Sequence, residues 1–169
     1  MKKLQNKLQE KLQNRKQNNK GFSLVELIIV IAILAILVGI VGTQVIPYIE
    51  KSRKAKDIQL ISGMCTDAMT AYSSNAAKLD ATETYTIAID GTSVTAKDST
   101  GAANTDLLNA FKELNNYTKL GTGANELEFE SKSGKAITKV TIVCKNGSPM
   151  ISVTVTGPAD ANDFKVESN

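Results

Sequence analysis

The chain has 169 residues, of which 20 are basic, 17 are acidic and none is histidine. Histidine is the commonest acid–base catalyst near neutral pH and a frequent zinc ligand. Neither of the two cysteines lies in a zinc-type spacing, and the sequence contains no glycine-rich phosphate loop. The composition therefore argues against an enzyme, and it predicts no cofactor and no metal.

The positive charge is concentrated at the N-terminus. Seven of the 20 basic residues and one of the 17 acidic residues fall within residues 1–21, so residues 22–169 carry 13 basic against 16 acidic side chains, a net charge of −3. The basic character of the whole chain therefore gives no reason to infer nucleic-acid binding. The residues beyond the apolar segment described next are enough for one modest hydrophobic core.

An apolar segment begins abruptly at Phe22. From there to Ile46 the only polar side chains are those of Ser23, Glu26, Thr43 and Gln44. As a helix this segment would be about 37 Å long, which exceeds the hydrocarbon core of about 30 Å. The sequence predicts a membrane-spanning helix over residues 22–47, because a secretory signal core has only about 7–15 apolar residues.

The flanking charges predict the orientation of this helix. Seven basic residues precede it and four follow it closely, and basic residues flanking a first span are retained on the cytoplasmic side. We therefore expect a cytoplasmic leader over residues 1–21, a single span, and an exported globular domain over residues 48–169.

Glu26 is the ionisable residue inside the apolar segment. Such residues in membrane spans are costly, and they are candidates for function. The alternative is that Glu26 lies near the helix end, reaches the headgroups and meets the positive end of the helix dipole.

The stretch Lys20-Gly21-Phe22-Ser23-Leu24-Val25-Glu26, followed by an apolar helix, resembles the class III prepilin signature of type IV pilins and pseudopilins. In that family a membrane peptidase cuts after the glycine and N-methylates the new first residue, and the mature helix forms the core of a helical filament. The resemblance implies cleavage between Gly21 and Phe22, N-methylation of Phe22 and a role for Glu26 in assembly. It covers roughly residues 20–55.

The helix is expected to continue beyond the membrane, to about Asn75. Apolar residues recur there at spacings of three and four, which is typical of one helix face packed on a domain: Ile58, Ile61, Cys65, Ala68, Met69 and Tyr72. Gly39, Gly42 and Pro47 weaken the middle of the helix. Membrane helices tolerate such residues; alternatively, this segment melts on assembly and provides flexibility.

The remainder is predicted to be rich in β-strand with one short helix. Alternating apolar residues indicate strands at 85–89, 127–129, 140–144 and 151–155, with turns at Asp90-Gly91 and Asn146-Gly147. Asn104 or Thr105 is expected to cap a helix that Gly121-Thr122-Gly123 closes, and residues 157–169 are expected to form a polar tail. The predicted fold is α+β, with a small antiparallel sheet on the second half of the long helix, as the resemblance also implies.

Two further features leave alternatives open. Cys65 and Cys144 would both lie outside the membrane, where two cysteines allow one pairing, and we expect a disulfide between them; the alternative is that each is a small buried apolar residue. Asp160, Asn162 and Asp163 offer oxygen ligands for calcium, but so weak a pattern favours a solvated tail.

The predicted function is that of a major or minor pilin, a structural subunit of a type IV pilus without enzymatic activity. The resemblance implies as partners other copies of the chain in a helical filament, a prepilin peptidase and methylase, and the assembly platform with its ATPase. The membrane holds the precursor, and the assembled pilus is extracellular. The alternatives are a pseudopilin of a type II secretion or competence DNA-uptake system, and a membrane-anchored surface-binding protein.

Overall fold

The computed structural model describes residues 5–7 and 21–168, so most of the predicted leader lies outside the described residues. The chain divides into two compact units, with the boundary between Ile46 and Pro47. Helix α1 (Leu24–Ser74) begins in the first unit and ends in the second. The predicted long helix is thus confirmed.

The second half of α1 carries one buried stripe, formed by Asp57, Ile61, Met64, Cys65, Ala68, Ala71 and Tyr72. Their spacing of three and four residues places them on one helix face. The stripe joins the apolar residues of the sheet in a single core. The apolar periodicity therefore predicted the packing of this helix face, but it did not predict that the face includes the buried carboxylate of Asp57.

A five-stranded antiparallel sheet packs on this half of α1. From one edge to the other, its strands are β2 (Val94–Lys97), β1 (Thr84–Asp90), β5 (Lys139–Lys145), β6 (Ile151–Thr156) and β7 (Val166–Glu167). Buried and partly exposed residues alternate along β1, β5 and β6, because successive side chains of a strand point to opposite faces. The predicted strands at 85–89, 140–144 and 151–155 are confirmed.

Helix α2 (Thr105–Asn115) covers part of the core with Leu107 and Phe111. The Asn104 side chain accepts a hydrogen bond from the Leu107 backbone, so the predicted N-cap is confirmed. The predicted end of this helix was wrong: it stops at Asn115 because Asn116 adopts a left-handed conformation with φ 55°.

The glycines that were expected to close α2 serve a different purpose. Strands β3 (Lys119–Leu120) and β4 (Glu126–Leu127) form a separate parallel pair, and the Glu126 carboxylate accepts a hydrogen bond from the Gly123 backbone at 2.8 Å. A Cβ at Gly123 would lie 2.8 Å from the carboxyl carbon of Glu126. The prediction of a strand over 127–129 within the antiparallel sheet was therefore wrong in extent and pairing.

The prediction of a polar C-terminal tail was also wrong. A 3-10 helix (Ala161–Phe164) buries the ring of Phe164 completely, and β7 then pairs with β6 through Ser152 and Val153. Phe164 joins the core, and Ala161 and Val166 pack against it. The segment thus closes one edge of the sheet.

Candidate processing and assembly site

The predicted cleavage site lies in exposed, non-helical backbone just before α1. Gly21, Phe22 and Ser23 precede the first helical residue, and Phe22 is 82% exposed. A Cβ placed on Gly21 would meet no atom within 4 Å. Cleavage requires backbone that a protease can reach, and the described part of this junction offers it.

Ser23 and Glu26 define the start of α1 by a reciprocal pair of hydrogen bonds. The Ser23 backbone N–H donates to Oε2 of Glu26 at 2.9 Å, and the Val25 N–H donates to Oγ of Ser23 at 3.3 Å. This is a capping box, in which two amides without intrahelical partners are satisfied. The carboxylate of Glu26 thus binds the backbone N–H of Ser23, the residue directly after Phe22. Cleavage after Gly21 would convert the nitrogen of Phe22 into an amine.

The first part of α1 exposes an apolar surface on every side. Every residue from Gly21 to Ile46 is exposed, and the large apolar residues of this segment range from 43% exposure at Val45 to 82% at Phe22. Among the described residues, α1 is long and apolar enough to cross a membrane by length and composition. A contiguous apolar surface of this size needs lipid or protein to cover it.

The three residues predicted to weaken the helix all lie within α1. The helix continues through Gly39, Gly42 and Pro47, and a Cβ on either glycine would meet no atom within 4 Å. Oγ1 of Thr43 donates weakly to the carbonyls of Gly39 and Ile40, at 3.3 and 3.2 Å. A loss of helix on assembly stays a prediction.

Asp57 attaches the second half of α1 to the loop before β5, and sequence analysis missed it. It is 2% exposed, and its carboxylate accepts hydrogen bonds from the backbone N–H groups of Glu130 and Ser131 at 2.8 and 2.9 Å and from the Ser131 hydroxyl. A Cβ on Gly134 would collide with this carboxylate. Asp57 lies within a run of charged residues, so no sequence signal distinguished it from an exposed aspartate.

Lys54 makes a second attachment, to the C-terminal segment. Its Nζ lies 2.6 Å from Oδ2 of Asp163 and also contacts Oδ2 of Asp160, which accepts a further hydrogen bond from Ser133 at 2.8 Å. The hydrogen bonds that Lys54 donates to Asp160 and to Asp163 raise the pKa of Lys54, and the bond to Asp160 lowers the pKa of that carboxyl. A lysine ammonium therefore lies between two of the three residues that were weighed as calcium ligands.

Cys65 and Cys144 lie in the same core, on α1 and β5 respectively, and both are free thiols in the structure. Burial raises the pKa of both, and it raises the pKa of Cys144 to about 12, with a further contribution from charge on Cys65. Thiols this poorly ionised react slowly. The disulfide between them stays a prediction.

The comparisons with known proteins agree with the geometry at the start of α1. A family model described as the Prokaryotic N-terminal methylation motif matches residues 16–42. No curated protein and no solved structure matches the chain. The motif and the apolar helix fit a membrane-anchored precursor, and the proteins that the motif marks are structural components. The chain thus carries, at residues 16–42, the class III signal of type IV pilins and pseudopilins.

Proposed function

We propose that the chain is a structural subunit, major or minor, of a type IV pilus. The precursor is held in the membrane by residues 22–47 with its leader in the cytoplasm and its domain outside. A prepilin peptidase cleaves it after Gly21 and methylates the nitrogen of Phe22. The mature chain is then assembled through α1 into an extracellular filament by a membrane platform and its ATPase.

The observation that carries this proposal is the apolar surface, exposed on every side of the helix, within and just after the methylation motif. In the precursor, lipid covers this surface. A subunit that leaves the membrane needs an equally apolar environment, because transfer of apolar surface into water is unfavourable. Identical helices from neighbouring copies supply that environment, so the same segment serves first as a membrane span and then as the core of a fibre.

Glu26 sets the register of such a fibre. Cleavage after Gly21 creates a cationic amine on Phe22, and Glu26 of a neighbouring copy can neutralise it within the apolar bundle. A copy displaced by one helical turn would leave both charges unpaired, which costs about 3–5 kcal/mol for a buried pair. The pair therefore selects one arrangement of subunits, whatever its contribution to net stability.

A pseudopilin of a secretion or DNA-uptake system is the second candidate, because the same motif marks both groups. It would share the cleavage and the helix but build a short fibre that does not extend from the cell. A chain that stays in the membrane and binds ligands through its sheet is the third possibility.

Electron microscopy of cells labelled with antibody to residues 80–168 separates the three possibilities. Long labelled fibres are expected for a pilin, short stubs for a pseudopilin, and uniform membrane labelling for a protein that stays anchored. Intact-mass analysis of surface protein should show a chain that begins at N-methyl-Phe22.

Two controls test the processing step. Gly21→Leu places bulk where the peptidase must approach closely, so the variant should remain uncleaved, as should the wild-type chain in cells without the peptidase. Surface protein that still begins at Met1 would refute both filament functions.

A further inference from the structure

A groove of about 340 Å³ lies between the second half of α1 and the chain at the C-terminal end of α2. Gln59, Gly63 and Asp67 line it from α1, and Asn115 and Tyr117 line it from the other side. Gly63 lies one helical turn before Asp67, and a Cβ there would meet no atom within 4 Å. The space beside Asp67 is therefore open, and we call it the Asp67 groove.

The carboxylate of Asp67 has no partner within the part of the chain that the structure describes. The residue is half-buried, and burial, with no hydrogen bond or neighbouring cation to oppose it, raises its pKa. Lys56 also borders the groove, but its ammonium pairs with Glu130 at 3.5 Å. Partial desolvation disfavours the charged form of this carboxylate, and a cation that entered the open groove would stabilise that form.

Tyr117 adds a second feature suited to a cationic guest. Its pKa is raised by burial first and then by the charge of Asp67, so its phenol remains neutral beside the carboxylate. An aromatic ring and a carboxylate that border the same open space both attract an ammonium group. The flexible apolar stem of a lysine can pass over Leu60 and Met64, which also line the groove.

The described residues include two lysines placed to enter the groove of another copy. Lys132 and Lys135 are exposed on residues 131–135, which we call the lysine turn, and neither forms an ion pair with a described carboxylate. The turn is held to α1 at Glu50, whose carboxylate accepts a hydrogen bond from the Lys132 backbone at 3.0 Å, and at Asp57. These two attachments fix the position of the lysine turn along the axis of α1.

The lysine turn and the Asp67 groove lie at different levels along α1. The turn is attached at residues 50–57 and the groove is centred near Gly63, a difference of about nine residues or roughly 14 Å along the helix. Copies inserted through the same N-terminal segment are parallel. A copy displaced along the helix by this distance would bring its lysine turn to its neighbour's groove.

We propose that the Asp67 groove binds a lysine side chain of the lysine turn, Lys132 or Lys135, from a neighbouring copy of this chain. The inference rests on the proposed filament function. Each copy would present one groove and one turn, so the contact is heterologous and repeats without closing, as a fibre requires. It joins the exported domains, whereas Glu26 acts among the apolar helices.

Charge reversal tests the contact in cells that lack the wild-type copy. Asp67→Lys, and separately the double variant Lys132→Glu with Lys135→Glu, should each lower the yield of sheared fibre about tenfold or more, because like charges would then meet. The combined triple variant should recover most of that yield. Lys97→Glu, at an exposed lysine at the end of β2, should change it little. The amount of cleaved chain in the membrane controls for folding and processing.

Carbodiimide cross-linking of wild-type fibres tests the contact without any substitution. We expect a peptide that joins Asp67 to Lys132 or Lys135 in fibres but not in the detergent-dispersed membrane pool. Wild-type fibres that lack this cross-link, or a cross-link equally abundant in the dispersed pool, would overturn the groove contact alone. A cleaved wild-type chain that forms no fibres would overturn the proposed function and this contact with it.

Discussion

Glu26 and Asp57 are acidic residues of the same helix, and their surroundings give them different tasks. Glu26 is exposed at the start of α1, where its carboxylate accepts a hydrogen bond from a single backbone amide. Asp57 is buried and accepts three hydrogen bonds from one loop. The carboxylate of Glu26 is therefore accessible to groups outside the chain, whereas the carboxylate of Asp57 is committed to the domain fold.

At Glu26, removal of the charge is expected to suppress incorporation into fibres without affecting insertion or cleavage. Glu26→Val makes the segment more apolar, so a loss of membrane residence cannot explain a defect. Glu26→Gln retains an oxygen that can accept from Ser23 but has no charge. Both variants should reduce fibre yield at least about tenfold, as expected for an unpaired buried charge.

Gln44→Val is the matched control for the Glu26 variants, since it makes the same helix segment more apolar without removing a charge. Fibre yield is measured by shearing, and cleavage by intact mass. Normal fibres from Glu26→Gln would show that the helix cap, rather than charge pairing, is what assembly requires.

At Asp57, replacement by asparagine is expected to destabilise the second compact unit by about 2 kcal/mol, because the amide nitrogen would face one of the donor groups from which the carboxylate now accepts a hydrogen bond. The measurement is urea unfolding of the detergent-solubilised chain, followed by tyrosine fluorescence, since Tyr72 and Tyr85 lie in the core. Asp67→Asn should change stability little, because no described group depends on that carboxylate. Equal stability of the two variants would contradict the assigned role of Asp57.

At the scale of the element, α1 combines two kinds of helix. Its first part is apolar on all sides, and its second part is apolar on one face, apart from Asp57. Gly39, Gly42 and Pro47 lie where the first kind gives way to the second. Proline has no N–H, so the carbonyl of Thr43 lacks its usual intrahelical donor.

Substitution of these three residues tests whether the segment loses helix on assembly. The triple variant carries Gly39→Ala, Gly42→Ala and Pro47→Ala. Its helix should be stabilised by about 1 kcal/mol for each glycine replaced and by more for the proline. We expect slower amide exchange around residues 39–51 in fibres and less extension of fibres under load. Gly63→Ala, in the second half of α1, is the matched control for exchange. Unchanged exchange in the triple variant would show that the helix is already intact in the fibre.

At the scale of the whole molecule, the two thiols are candidates for a covalent link between helix and sheet. A disulfide between Cys65 and Cys144 would close a loop of about 80 residues and stabilise the domain by about 4–5 kcal/mol in the chain-entropy model. Mass spectrometry of a non-reduced digest of surface protein should show the linked peptides. Two separately alkylated thiols would show that packing alone joins the sheet to α1.

Acid is expected to destabilise the second compact unit. The threonines two residues after Asp80, Asp90 and Asp98 donate hydrogen bonds that lower the pKa of these carboxyls. A lowered pKa contributes stability that is present above the unfolded value, about 3.9, and is lost as the pH falls through the folded value. Asp67 acts in the opposite direction, because burial raises its pKa.

The measurement is the thermal midpoint as a function of pH. We expect a decline below about pH 4. In the variant with Asp80→Asn, Asp90→Asn and Asp98→Asn the decline should be shallower, since asparagine retains the turns but does not titrate. An equally steep decline would exclude these three carboxyls as its cause. Lys54 acts at the alkaline end, because its pKa is raised in the folded chain. Its contribution to stability is complete below the unfolded pKa of about 10.4 and is lost as the pH rises through the pKa of the folded chain.

Local patterns in the sequence determined most of the main elements. The all-apolar segment, the stripe at spacings of three and four, and the alternating strands around Asp90-Gly91 and Asn146-Gly147 are each read within a few residues, because side-chain direction repeats with the local geometry of helix and strand. The motif at Gly21-Phe22 with Glu26 is also contiguous. These features were predictable because they depend on neighbours in sequence.

Only the tertiary structure decided the features that join distant residues. Asp57 is buried because the loop at 130–134 provides its donors, Lys54 is paired because the C-terminal segment folds back, and β7 exists because β6 offers an unpaired edge. The same holds for the Asp67 groove, whose walls are about 50 residues apart in the chain. A carboxylate or lysine in a polar run looks the same in sequence whether exposed or paired, since its burial depends on partners that the fold brings to it.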